Sequence, residues 1–119
     1  MHKGKKITGG KYIKARKKKL YENPGQKKTV RLGEDKRKSK KVRGGNLKTF
    51  LLRAKTVNVQ TDGKAKKTGI KNVIETPSNR FLARQNVITK GTIVETEIGK
   101  VRITNRPTQE GILNGVLVK

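Results

Sequence analysis

The sequence contains no cysteine and no tryptophan, a single histidine, three prolines and only 8 acidic residues among 119. Without cysteine there can be no disulfide, no thiolate metal site and no thiol nucleophile, which is compatible with a reducing compartment. The one histidine, His2, precedes any segment able to fold and has no partner histidine or cysteine, so a metal centre is not expected. Neither an apolar run of ~20 residues nor a helical pattern with large apolar side chains on one face is present, which excludes the ordinary ways of spanning or lying on a membrane. The basic N-terminus is not followed by the apolar stretch of a secretory signal. A cytoplasmic location is therefore expected.

What the sequence does have is positive charge. Lys and Arg number 32, the formal net charge is +24, and only 30% of residues are hydrophobic. A chain charged in this way repels itself, so its working state is expected to include a polyanion. Nucleic acid is the first candidate and an anionic membrane surface the second.

The charge is unevenly distributed. Residues 1–46 hold 18 Lys and Arg against 3 acids, a net +15, whereas residues 47–119 hold 14 against 5, a net +9. The first half has few large apolar groups, chiefly Ile7, Tyr12, Ile13, Leu20, Tyr21, Val30, Leu32 and Val42. Burying so little cannot offset roughly 1–2 kcal/mol of backbone entropy per ordered residue. Residues 1–46 are accordingly expected to form an extended basic arm, disordered when free. Within it, Lys11–Leu20 is expected to become a short helix on binding, bounded by Gly9-Gly10 and Asn23-Pro24-Gly25.

Residues 47–119 read as β-structure, because Val, Ile, Thr and Phe recur between closely spaced turn signals. Strands are expected at 47–59, 66–75, 80–84, 87–89, 92–98, 101–105 and 112–118. Asp62-Gly63 suits a hairpin needing positive φ, Thr76-Pro77-Ser78-Asn79 a four-residue turn, and Gly99-Lys100 a tight link. Asn114-Gly115 falls too near the end for another hairpin and predicts a bulge or a close backbone approach within the last strand. So few residues enclose a core best by closing on themselves. The expected fold is mainly β, a small closed β-barrel of about six strands preceded by the basic arm.

Catalytic patterns are weak. The segment Gly4-Lys5-Lys6-Ile7-Thr8-Gly9-Gly10-Lys11 resembles a phosphate-binding loop, but its lysine falls one residue late and Tyr12 stands where Ser or Thr should follow. Gly9-Gly10 is better read as a bend that lets peptide N–H groups approach phosphates. Glu95 and Glu97 have the two-residue spacing of a carboxylate pair, yet no cleft or source of a shifted pKa accompanies them. Their simpler reading is cross-strand pairing with Lys100 and Arg102 across the Gly99 turn. No enzymatic activity, cofactor or small-molecule substrate is expected.

The texture of the basic half is more informative. Arg16, Arg31, Arg37 and Arg43 are interleaved with Tyr12, Tyr21, Gly and Asn, which suits threading between phosphates with occasional stacking on a base. RNA is favoured over DNA because no helix-turn-helix, zinc finger or heptad dimeriser is present, and a basic extension on a small β-domain suits the crevices of folded RNA. An architectural DNA or chromatin protein is the alternative, and an enzyme using Glu95 and Glu97 a third.

Five segments together carry a resemblance: "TGGKY" at Thr8–Tyr12, "RGGN" at Arg43–Asn46, "NVIETPSN" at Asn72–Asn79, "NVITKGTIVETEIGK" at Asn86–Lys100 and "RPTQEGILNGVLV" at Arg106–Val118. In order and spacing the chain resembles the archaeal and eukaryotic small-subunit ribosomal protein family numbered eight with suffix e, in its short archaeal form. Two departures are Thr108 and Glu110, where the family's loop reads closer to "RPGQDG". The resemblance implies a structural component of the small subunit, with a β-barrel seated on small-subunit ribosomal RNA, a basic arm entering that RNA, neighbouring small-subunit proteins as further partners, and neither an obligate homo-oligomer nor a metal.

On that resemblance the RNA contacts are Thr8, Gly9, Gly10, Lys11, Tyr12, Lys14, Arg16, Lys17, Lys18 and Lys19 of the arm, and the motif Arg43, Gly44, Gly45 and Asn46. Lys5, Lys6, Arg37 and Lys41 are adjoining cations. Exposed strand ends and loops of the barrel add Arg53, Lys55, Arg80, Arg84, Lys90 and Arg106. Gly44-Gly45 is read as a hinge between arm and barrel whose main-chain N–H groups approach phosphates, rather than as a plain linker.

Overall fold

A computed structural model describes residues 4–13 and 15–118, so His2 and Lys14 lie outside it. Among the described residues nine strands hold most of the β-branched side chains: β1 Val30–Leu32, β2 Lys36–Lys41, β3 Leu47–Ala54, β4 Thr56–Thr61, β5 Lys64–Glu75, β6 Val87–Ile88, β7 Ile93–Thr96, β8 Lys100–Ile103 and β9 Asn114–Leu117. Two short helices, α1 Arg80–Arg84 and α2 Pro107–Glu110, lie between them. No helix of the described residues is long and apolar enough to cross a membrane.

Five strands, β4, β5, β7, β8 and β9, form a closed barrel. β4–β5 and β7–β8 are short hairpins, β5 pairs with β7 and β8 with β9 antiparallel across longer connections carrying α1 with β6 and α2, and the ring is closed by the parallel pairing of β4 with β9 through Asn58↔Asn114, Val59↔Gly115 and Gln60↔Val116. Alternation along each strand sends one face inward. Val57 and Val59 of β4, Val94 of β7, and Val101 and Ile103 of β8 are all buried, while the intervening polar residues face outward. The buried cluster they form with Ile70, Val73 and Leu113 is aliphatic.

The remaining strands make a four-stranded sheet in the order β2-β3-β1-β6. Its inner residues Val30, Leu51, Ala54 and Ile88 extend the same core. The strands β1 and β2 come from the lysine-rich half. Val30 is fully buried there because β1 pairs on one side with β3 and on the other with β6, so its ordering depends on segments far along the chain.

Several expectations from the sequence are corrected. Residues 80–84 form α1, not a strand. The Asn79 side chain accepts a hydrogen bond from the Phe81 N–H at 3.0 Å, and Arg, Leu and Ala are good helix formers with no β-branched residue among them. The expected strand 47–59 is two strands in different sheets, bent at Lys55, whose N–H donates to Asp35 Oδ1 at 2.9 Å. The closed β-barrel expected with about six strands is present and has five. Glu97 lies in the turn after β7, so it does not share a strand face with Glu95. Glu95 does stand opposite Lys100, but Arg102 stands opposite Ile93. The helix at Lys11–Leu20 is expected only on binding; in the free chain residues 11–13 and 15–19 are not helical, and a single 3-10 turn spans Leu20–Glu22.

Gly115 explains the signal in the last strand. A Cβ there would run into Val101 Cγ1 and stand 2.9 Å from the Arg102 carbonyl oxygen, both on β8. The backbone of β9 thus lies closer to β8 than any side chain would permit. Gly115→Ala is expected to destabilise the barrel by about 1–3 kcal/mol through overpacking, lowering the thermal midpoint by roughly 4–20 °C on the usual scaling for a small domain. A circular-dichroism melt with an unchanged midpoint would show that β8 and β9 can part without loss.

Candidate nucleic-acid interface

The hairpin β2–β3 is a basic ribbon. Every residue of β2, Lys36-Arg37-Lys38-Ser39-Lys40-Lys41, is exposed, and so are Leu47, Lys48 and Thr49 at the start of β3. Register sets cations against cations, Lys40 opposite Lys48 and Lys36 opposite Arg53. Like charges directly across a strand pair repel, so the ribbon is held by its backbone ladder and by the Ser39–Thr49 hydroxyl contact at 3.0 Å, in spite of its side chains. β2 is also the free edge of its sheet, and a lysine-rich edge discourages pairing with other strands.

Gly44 and Gly45 form the tip of this ribbon. Both have φ of +78°, the Val42 N–H donates to the Asn46 carbonyl at 2.8 Å, and the Gly45 N–H donates to the Val42 carbonyl at 3.2 Å. The pair is therefore a tight hairpin turn and not a hinge between a free arm and the fold. The Gly45 N–H is also already committed within the turn. What the turn does is project Arg43 at the end of the ribbon with Lys41 beside it, all of them exposed.

Residues 4–13 and 15–29 are exposed apart from the half-buried Glu22. They make the molecule long, 66 × 33 × 31 Å with a radius of gyration of 20.5 Å, where a compact chain of this length would measure about 13–14 Å. Local contacts organise parts of the arm. Lys5 bridges to Lys11, the Lys6 N–H donates to the Gly10 carbonyl at 2.9 Å and the Gly9 N–H to the Lys6 carbonyl at 2.8 Å, curling the chain through Thr8-Gly9-Gly10. Gly9, with φ of +80°, allows that curl.

Farther on, Arg16 donates to both oxygens of Glu22, at 2.7 and 2.5 Å, and the Lys19 N–H donates to Glu22 Oε2 at 3.0 Å. The guanidinium first and the amide second hold the Glu22 carboxyl below its ordinary pKa, while Arg16 is raised. A phosphate reaching Arg16 either displaces Glu22 or uses the N–H groups that the pair leaves free on this largely exposed guanidinium. Lys17, Lys18 and Lys19 are exposed.

In the barrel half, Arg53 and Lys55 are exposed around the β3–β4 bend, and Arg80 and Arg84 are exposed on α1. Lys90 and Arg106, sixteen positions apart, line the same groove of about 420 Å³ between β6 and α2. Arg16–Glu22 is the one ion pair among the described residues, so the other described cations have no carboxylate partner within 4 Å.

Sequence reasoning missed functional candidates that only pairing reveals. Lys36, Lys38, Lys40 and Lys48 complete the ribbon, and Lys64, Lys66, Lys67 and Lys71 are exposed on β5. Lys28 places its ammonium 3.4 Å from the centre of the Phe50 ring, and Phe81 is 57% exposed with the Arg80 guanidinium 5.8 Å from its ring centre.

The family model described as "Ribosomal protein S8e" matches residues 1–118. The chain is 50% identical over 115 residues to the "Small ribosomal subunit protein eS8" of Nanoarchaeum equitans, covering 95% of this chain and 91% of that one. To the protein of the same name from Staphylothermus marinus it is 50% identical over 118 residues, covering 97% and 92%, and to that from Methanosarcina barkeri 37% identical over 117 residues, covering 97% and 94%.

Replacing Lys48 by Glu turns a repulsive cross-strand pair into an attractive one. Lys48→Glu is expected to stabilise the free protein by about 0.2–1 kcal/mol in urea unfolding and to weaken its binding to polyanions such as heparin or RNA. A variant that is destabilised, or that binds RNA as tightly as before, would show that the ribbon charges neither strain the sheet nor meet phosphate.

Proposed function

The chain belongs to the ribosomal protein S8e family, and from that membership we propose that it is a structural constituent of the small ribosomal subunit, cytoplasmic, binding small-subunit ribosomal RNA through its arm and its β-ribbon and meeting neighbouring subunit proteins. The family is structural and not enzymatic. The observation that carries the RNA reading is the pairing of cation with cation across the β2–β3 ladder in a protein with one ion pair among its described residues. A phosphate seated between Lys40 and Lys48 converts mutual repulsion into two attractions. The ribbon and arm then differ in task, the ribbon offering charges at fixed spacing and the arm charges that adapt to a crevice.

Displacing counterions from RNA makes such binding strongly dependent on salt. With about eight phosphates neutralised, the slope of log affinity against log salt should be near −7. The protein should sediment with small ribosomal subunits and leave them only at high salt. A slope near zero, or equal affinity for duplex DNA and folded ribosomal RNA at matched salt, would overturn the proposal, the second outcome in favour of an architectural DNA protein.

A further inference from the structure

Three adjoining grooves, of about 720, 420 and 390 Å³, share Lys28 and Thr108 in their walls. Together they make one trough beneath the segment where the arm joins the fold. It begins at Lys38, Lys40 and Lys48 on the ribbon, passes Lys28 and Thr108, and ends between β6 and α2 at Lys90 and Arg106. No Asp or Glu lines any of the three. The neighbouring cavity on the other side of β3, in contrast, includes Asp35.

The two ends differ in chemistry. At the ribbon end Lys38, Lys40 and Lys48 stand beside Phe50 and Leu52, whereas the end near α2 has Val30, Leu82, Val87, Ile88 and Pro107 under a rim of cations. Val30, Val87, Ile88 and Pro107 are buried beneath it, so the apolar floor a ligand can touch there is the surface of half-buried Leu82 and of the side-chain carbons of the rim residues. Midway, the Lys28 ammonium rests on the Phe50 ring, which fixes a positive charge at the point common to all three grooves. Thr29, Thr89 and Gln109 add hydrogen-bonding groups around the apolar end.

We propose that this trough holds a stretch of unpaired RNA, its phosphates following the cations from the ribbon to Arg106 and an unstacked base lying on the apolar floor. The inference rests on the ribosomal reading above and names the form of RNA recognised at this surface. Cations along the length suit a charged backbone, and an apolar floor with hydroxyl and amide groups at its edge suits a base face with polar edges. In a duplex the base faces are stacked and cannot reach that floor.

The test compares single-stranded and duplex RNA of equal length, with the full-length protein and fluorescence anisotropy at fixed salt. Thr108→Trp fills the meeting point of the grooves without changing the charge. It should lower affinity for the single strand roughly tenfold, the loss expected for one base-sized stacking contact, and leave duplex affinity unchanged. Lys90→Gln with Arg106→Gln should cost more than Lys64→Gln with Lys66→Gln, which removes equal charge from β5 outside the trough. That pair of variants decides the matter if Thr108→Trp fails to melt like the wild type.

Single strands carrying 4-thiouridine should crosslink to peptides containing residues 27–30, 87–90 and 106–109. Crosslinks confined to the arm and ribbon, or equal losses from the two double variants, would overturn the proposal. Failure of the ribosomal reading would show separately, as absence of sedimentation with small subunits.

Discussion

Electrostatic repulsion within the protein is the constraint on which the rest depends. With 32 basic and 8 acidic residues, the chain cannot neutralise itself by any arrangement of its own side chains. The fold responds by separating functions. Apolar residues are gathered into one aliphatic core shared by barrel and sheet, and the cations are left on strands and extensions where water screens them. Even so, Lys40 and Lys48 are forced face to face, because the register that buries Phe50 and Leu51 on β3 also fixes what stands opposite every other residue of β2. Core burial sets the position of the charges.

Much of this was legible from composition and pattern. The excess of lysine pointed to a polyanion, the β-branched segments with their turn residues pointed to a closed barrel, and Asn114-Gly115 marked a close approach that the structure locates against Val101. Strand assignment failed at particular places for identifiable reasons. At 80–84 the local helix preference of Arg-Phe-Leu-Ala-Arg and the cap from Asn79 outweighed a general expectation of β-structure. At 47–59 a continuous run without Gly, Pro or another turn signal concealed a corner at Lys55, because strand preference does not record which sheet a strand belongs to.

The candidate site was harder to read for a related reason. Gly44-Gly45 signals freedom of the backbone, and both a hinge and a hairpin tip need it. Only the partner strand decides between them, and the lysines of 36–41 gave β2 no hydrophobic pattern by which to recognise it. Lys90 and Arg106 were named for separate loops, and nothing in their spacing shows that they face one groove. Long-range pairing supplies that information, which neither propensity nor charge density contains.

The parallel pairing of β4 with β9 has a consequence in time. It joins Asn58 to Asn114, so the ring cannot close until almost the whole chain has left the ribosome that makes it. The β2–β3 hairpin, by contrast, links residues at most seventeen positions apart and can form as soon as it emerges. During synthesis the N-terminal charges are therefore exposed, in a cytoplasm full of RNA, while the core that anchors them does not yet exist. A nascent chain of this design is a sticky polycation before it is a folded protein, and the order of its strands keeps the ring open until β9 has been made.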